Sequence, residues 1–235
     1  MTTLIIRLTA PLQSYGDEAT FARRTTGDYP SKSAVIGMVA AALGYHRDDP
    51  QILKLNQLHF AVRVDQPGTI LTDYQTVEWR RNTRKVTYRD YLQDAVFVVA
   101  LGSDDRQVVE RIKNALKHPR FQLFLGRRSN VPAGALDLTV VDSDPVSALE
   151  SLKWQASKWY QKRKRKLADV AVEIIADAHL LPESRSTMVR DRVVSFDQRH
   201  RQHGYRPIAV KRVRLKNPSF QGNEMATNHD IMKFL

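Results

Sequence analysis

Apolar positions change their spacing several times along the chain, and each change marks an element. Thr3 to Leu8 is a short, apolar, β-branched run bounded by Pro11, which predicts a strand. A long polar connection, residues 9–30, follows. In PSKSAVIGMVAAALGY, Val35, Met38, Val39 and Ala42 share a helical face, with Ser31 placed as N-cap and Gly44 as the stop. LHFAVRVDQPG alternates Phe60, Val62 and Val64 against Ala61 and Arg63 up to Pro67 and Gly68, a second strand. Residues 69–93 are polar, basic and aromatic without a core pattern. DAVFVVALG is an unbroken apolar run, as in a central strand buried on both faces. SDDRQVVERIKNALKHP predicts a second helix, capped by Ser103, acidic in its first turn and ended by Pro119. LDLTVVD supplies a fourth strand.

This order is β-α-β-β-α-β, an α+β chain of ferredoxin-like arrangement. In an antiparallel sheet ordered fourth-first-third-second, three connections meet at one end of the domain: residues 9–31, 67–93 and 118–135. The second and third of these are more basic than acidic. The opposite end carries YHRDDP and GSDD, which are balanced or acidic. Beyond about residue 145 the pattern loosens. VAVEIIA, TMVRDRVVSF and YRPIAVKRVRL predict further strands. The expected division is a ferredoxin-like domain at 1–145, a smaller β-rich C-terminal region at 146–217, and a weakly patterned tail at 218–235, flexible or docked on a partner.

Charge narrows the partner. The 235 residues include 37 Lys and Arg against 25 Asp and Glu, a formal charge of +12 and a pI near 10.0. That surplus fits a polyanion, of which nucleic acid is the commonest. The run KRKRK has no sustained apolar helical face beside it, which argues against a membrane-surface anchor. No segment approaches the roughly 20 apolar residues of a membrane span, and the apolar stretch near the N-terminus is short and interrupted by Arg7. There is no cysteine, so disulfides and thiolate metal sites are excluded. A cytoplasmic protein without membrane association is expected.

Candidate chemistry falls on the gathered connections. Ser31, Lys32 and Ser33 open the first helix, where free N–H groups, two hydroxyls and a lysine suit phosphate; ordinary capping is the reading that these residues alone favour. In LFLGRRSN, residues 123–130, Gly126 permits close backbone approach or a positive φ, and Arg127 and Arg128 supply bidentate donors. A solvated turn fits the same residues. The segment DYQTVEWRRNTRKVTYRDYL interleaves Tyr74, Trp79, Tyr88 and Tyr91 with Arg80, Arg81, Arg84, Lys85 and Arg89. It fits a protruding hairpin that stacks bases and holds a phosphate backbone, or one whose aromatics pack inward. KRKRK, Lys162 to Lys166, reads first as a mobile, solvated charge run; Trp154, Trp159 and Tyr160 beside it make it a secondary nucleic-acid candidate. The third strand lacks the aromatic signature of RNA-recognition motifs, which puts RNA binding on the loops. The seven histidines show no HExxH or HxE spacing, so no metal or cofactor is expected. A metal-free ribonuclease needs only a base, an acid and a cation near a 2′-hydroxyl. Lys117 and His118 are the candidates; Tyr45 and His46 are placed at the opposite end by this topology.

Five segments carry a family resemblance: IRLTAPLQSYG, RTTGDYPSKSAVIGMVAAALGYHRDD, TDYQTV, YRDYLQDAVFVVAL and FLGRRSNVP. In this order they resemble the CRISPR-associated CasD family, the Cas-five subunits of type I-E Cascade complexes, over most of residues 4–133. The resemblance is loose beyond residue 145. It implies an RRM-like, RAMP-type ferredoxin domain, a thumb hairpin at about 70–92 and a glycine-rich loop at 124–130. It further implies a non-catalytic subunit of an antiviral-defence ribonucleoprotein that binds the 5′ handle of the CRISPR RNA and caps one end of the complex. Its neighbours would be the CasC backbone subunits and the large subunit, with target DNA engaged indirectly. By position, the implied handle site comprises Gln13, Tyr15, Arg24, Thr26, Ser31, Lys32, Ser33, Gly126, Arg127, Arg128 and Ser129. Tyr15 stands where many members of that family have a tryptophan, and stacking is expected to survive the change. Type I-C relatives cut the repeat RNA themselves, so a metal-independent repeat endoribonuclease using Lys117 and His118 stands as the alternative.

Overall fold

A computed structural model of the protein describes residues 1–16 and 22–222. The first strand, β1 (Thr2–Thr9), is followed by four two-residue strands: β2 (Leu12–Gln13), β3 (Tyr15–Gly16), β4 (Arg23–Arg24) and β5 (Thr26–Gly27). Then come α1 (Lys32–Leu43), the single turn α2 (Gln51–Lys54), β6 (His59–Gln66), β7 (Thr69–Arg80), β8 (Thr83–Gln93), β9 (Val96–Ser103), α3 (Arg106–Lys117) and β10 (Asp137–Val141). The C-terminal part adds α4 (Pro145–Ser151), α5 (Lys158–Arg163), β11 (Asp169–Asp177), β12 (Ser186–Ser195) and β13 (Gln202–Lys216).

Seven of these strands form one sheet, ordered β10-β1-β9-β6-β11-β13-β12, with every neighbouring pair antiparallel. The two faces are buried differently. Leu4, Ile6, Phe60, Val62, Phe97 and Val99 meet α1 and α3 through Val35, Val39, Val109, Ile112 and Leu116. On the reverse face Ile5, Ala61, Val98, Ala100 and Ile174 meet Val146 and Leu149 of α4. The unbroken apolar run in β9 follows from this double burial.

The expected helix stops are found, with one change. Ser31 accepts a hydrogen bond from Ala34 N, and Gly44 ends α1 at φ 81°. The cap of α3 is Asp105, which accepts from Gln107 N, rather than Ser103. Ser103 instead accepts from Asp105 N at 3.2 Å, one step outside the helix.

The β-rich C-terminal region at 146–217 joins the first sheet: Ile174 to Ala176 of β11 pair with Ala61 to Arg63 of β6. Strand β6 is buried along most of its length. Arg63 is fully buried, and its guanidinium binds both carboxylate oxygens of Asp65. It also donates to the carbonyls of Leu149, Leu152 and Lys153, satisfying the end of α4 that would otherwise carry unpaired acceptors. A charge in an alternating strand reads as solvent-facing until a second layer covers it.

Strands β7 and β8 form a hairpin paired from Thr69–Gln93 out to Arg80–Thr83, with an irregularity between Glu78 and Arg80. Asn82 turns it at φ 61°. Ile70, Leu71, Val77 and Val86 are exposed along it. At its base β8 also pairs with β2 and, in parallel, with β4. Among the described residues no helix is long and apolar enough to cross a membrane. Of the expected tail, residues 223–235 lie outside the described residues.

Candidate nucleic-acid interface

The three connections are hydrogen-bonded into one unit. Ser14 N donates to Leu125 O at 3.2 Å, Asp94 N to Pro11 O at 3.1 Å, Ala133 N to Thr9 O at 2.8 Å and Tyr88 N to Ala22 O at 2.8 Å. Side chains reinforce this: Gln13 Nε2 donates to Ala95 O, and Ser14 Oγ to Asp90 O. The loop around Gly126 is closed by Leu125 N on Asn130 O at 2.7 Å and anchored through buried Leu123 and Leu125.

Gly126 has φ 89°, and a Cβ there would lie 1.5 Å from Ser14 O. The close approach that demands glycine is therefore to the protein's own backbone. Arg127 is half-buried behind it. Its guanidinium lies 4.5 Å over the ring of Tyr91 and its Nη2 donates to Arg24 O at 2.9 Å. Two donors at this junction, Arg127 Nη1 and Arg89 Nε, are buried without a hydrogen-bond partner among the described residues. Around them Arg23, Arg24, Arg128 and Ser129 are exposed; Arg23 reaches Asp90 only at 3.8 Å. Thr26 Oγ1 accepts from Tyr15 N and donates to Gly27 O, and so fixes β3 on β5.

Several expected contacts turn inward. Gln13 and Tyr15 are buried. Tyr15 donates to Gln13 Oε1 at 2.6 Å and sets its ring edge-on to Phe97, 5.9 Å between centroids. Burial raises its hydroxyl far above the ordinary tyrosine range. Both side chains are enclosed, so Tyr15 offers no stacking surface. Tyr91 is buried as well.

The start of α1 is likewise already occupied. Lys32 N donates to Asp191 Oδ2 at 2.8 Å and its Nζ to Asp177 Oδ2 at 3.1 Å. Arg206 binds the same two carboxylates. Burial lowers the pKa of Lys32 against the pull of Asp177. For Arg206 burial acts downward too, but Asp191 and Asp177 outweigh it and raise the pKa. Ser31 caps Ala34 N and lies 3.2 Å from Ser33 Oγ. A carboxylate stands where phosphate was expected; Lys32 and Ser33 are buried and Ser31 is half-buried. The signal overlooked was the charge inside the strand patterns VEIIAD and VRDRV.

On the hairpin, Tyr74 and Tyr88 face each other across the pair and both are exposed. Trp79 is exposed with Arg80 at 4.6 Å over its ring. Arg81, Arg84 and Lys85 are exposed near the tip, Arg84 only 4.0 Å from Glu78.

Lys117 ends α3, and His118 lines a concavity with Ala42, Leu43, Arg111, Ala115 and Arg120. Tyr45 and His46 are not remote from it, contrary to the topological expectation. Arg120 N and Phe121 N bond to Ala42 O and Ala41 O, folding the chain back along the last turn of α1. Arg111 then donates to Tyr45 Oη at 2.9 Å, and the His46 and Phe121 rings meet at 5.4 Å. Among the described residues no group of three or more metal-ligating side chains converges.

A family described as CRISPR-associated protein (Cas_Cas5) matches residues 3–209. The CRISPR system Cascade subunit CasD of Escherichia coli (strain K12) is 35% identical over 62% of this chain and 75% of its own length. A chain from a solved CRISPR RNA-guided surveillance complex is similar at TM-score 0.74 and 32% identity, over 95% of both chains. A solved Cas protein is similar at TM-score 0.66 and 30% identity, over 93% of this chain and 97% of that one.

Proposed function

Because the chain belongs to the CRISPR-associated Cas5 family, we propose that it is a non-catalytic, RNA-binding subunit of a Cascade surveillance complex. It grips the 5′ handle of the CRISPR RNA and caps one end of the assembly in the cytoplasm. In this reading the path β1-α1-β6-β9-α3-β10 is a ferredoxin-like module of RAMP type, and the β7–β8 hairpin is its thumb. The neighbours are CasC backbone subunits and the large subunit; target DNA is engaged through the guide.

The observation that carries the reading is the bonding of three connections into one cationic surface. Arg23, Arg24, Arg128 and Ser129 face outward there, while Arg127 is fixed between Tyr91 and Arg24 O. A preformed array of this kind holds a short RNA end with little ordering cost. Exposed Tyr74, Trp79 and Tyr88 along the hairpin add stacking faces for unpaired bases.

The test is a salt titration of handle RNA binding with Arg24→Ala/Arg128→Ala. Affinity should fall roughly tenfold or more, and the single-strand salt slope should become shallower by about 1.4, some 0.7 for each phosphate no longer neutralised. An unchanged affinity and slope would remove the site. The second reading, a metal-independent repeat endoribonuclease, is favoured by His118, Arg111 and Arg120 sharing a concavity beside Tyr45. Incubation of the chain with repeat RNA in the presence of chelator decides it: a site-specific cut abolished by His118→Ala makes the chain a nuclease, and intact, retained RNA leaves the scaffold.

A further inference from the structure

The basic run that the handle surface leaves unused is not the mobile charge tract its composition suggests. Residues 158–166, KWYQKRKRK, are held from both sides. Asn217, buried, donates its Nδ2 to Gln161 O at 3.2 Å and Lys164 O at 3.0 Å, satisfying the free end of α5. The Asn217 backbone N binds Ala168 O, and Gln221 N binds Arg165 O. At the other end Ser157 N and Oγ donate to Gln66 Oε1, while Gln66 Nε2 donates to Asp94 O. Through that one glutamine, α5 starts beside the base of the β7–β8 hairpin.

Aromatic contacts fix the surface further. Buried Trp154 donates to Asp65 O and meets Tyr160 edge-on at 6.0 Å. Tyr160 meets Trp159 at 5.6 Å, and the Lys164 ammonium lies 5.8 Å over the Tyr160 ring. Trp154 is thus a foundation, and Trp159, 49% exposed, is the face presented. Among the described residues Lys158, Lys162, Arg163, Lys164, Arg165 and Lys166 enter no ion pair. Lys158 and Lys162 are one helical turn apart, as are Trp159 and Arg163, so the indole stands in a row of cations. Leaving half an indole in water forgoes burial energy, and solubility alone needs no aromatic there.

We propose that α5 and the turn after it form a second, sequence-tolerant binding site for a single-stranded nucleic-acid segment. Its backbone would lie on the cations and a base on Trp159, the combination of cationic track and aromatic platform that suits unpaired strands. The inference does not rest on the handle reading, since it involves none of that surface's residues. RNA and DNA strands present the same chemistry, so oligo-U and oligo-dT are used in parallel.

The experiment measures binding of the full chain to fluorescent 15-mers of each, and to a generic DNA duplex, across a salt series. With Lys162→Gln/Arg163→Gln/Lys166→Gln, affinity for at least one 15-mer should fall about tenfold and its salt slope should become shallower by about 2. Trp159→Ala should weaken the same oligonucleotide about tenfold while leaving the duplex unchanged. Loss on oligo-U alone, oligo-dT alone or both supports the site and identifies its strand. Unchanged affinity and slope on both would overturn it, as would equal losses on the duplex in Trp159→Ala. Handle RNA binding should persist in the triple variant with an unchanged melting temperature; an equal loss there would reduce the effect to general charge and overturn a separate site. Arg24→Ala/Arg128→Ala should leave the 15-mers unaffected, so failure of the handle site reads out independently.

Discussion

At the scale of single residues, one chemical type serves opposite ends here. Gly126 invites a ligand-cradle interpretation, yet the atom nearest its missing side chain is Ser14 O. A ligand-facing glycine would cost RNA affinity and spare stability when substituted. Gly126→Ala should instead destabilise the chain by about 3 kcal/mol, near the upper end for point substitutions, because a positive φ and a backbone collision coincide. Urea unfolding checks this, and an unaltered midpoint with weakened RNA binding would return the glycine to the ligand. Gly44 was readable in sequence because its reason, the end of a helical stripe, is local. Gly126 was not, because its reason is a backbone carbonyl far upstream. Lys32 fails in the same manner: nothing beside it announces Asp177 and Asp191.

Elements were read more securely than their partners. The strands and helices of the first half follow from apolar spacing, which is local. What spacing could not supply was the second layer under β6, and with it the burial of Arg63 and Trp154. The β7–β8 hairpin illustrates both sides. A segment without a core pattern fits a hairpin, and among the described residues its outer part pairs only within the hairpin, but the inward turn of Tyr91 depends on packing at its base. Thr76 and Val86 are directly opposed, so replacing residues 77–85 by Asn-Gly closes the hairpin with a two-residue turn in register. Thermal unfolding of the shortened chain should stay within roughly 0.5 kcal/mol of the parent, as for changes away from a core. Handle RNA binding and assembly with partner subunits should fall, because Trp79, Arg80, Arg81, Arg84 and Lys85 leave with the segment. A large loss of stability would mean that the hairpin supports the body rather than reaching out from it.

For the whole molecule, the decisive fact is that the C-terminal strands complete the sheet begun by the N-terminal half. Lys32 of α1, Asp177 of β11, Asp191 of β12 and Arg206 of β13 meet in one buried charge cluster, and Asp177 also accepts from Phe60 N of β6. Such a cluster adds little net energy over an apolar equivalent, but removing one partner strands the others without solvent, at about 3–5 kcal/mol. Arg206→Met leaves two carboxylates with Lys32 as the one remaining cation of the cluster. If the two halves are one cooperative unit, this substitution moves a single transition, and far-UV circular dichroism and the fluorescence of buried Trp154 should report the same lowered midpoint. If residues 146–217 stood apart, the fluorescence transition would shift and a second, unshifted transition would remain in the dichroism. A chain ended at residue 145 separates the cases again. It exposes the β6 edge and leaves Lys32 without its carboxylates, and it should therefore fail to give a cooperative transition. The candidate RNA surface is built on β4, β8 and the loop at Gly126, so its rigidity is inherited from a sheet that the N-terminal half cannot complete by itself.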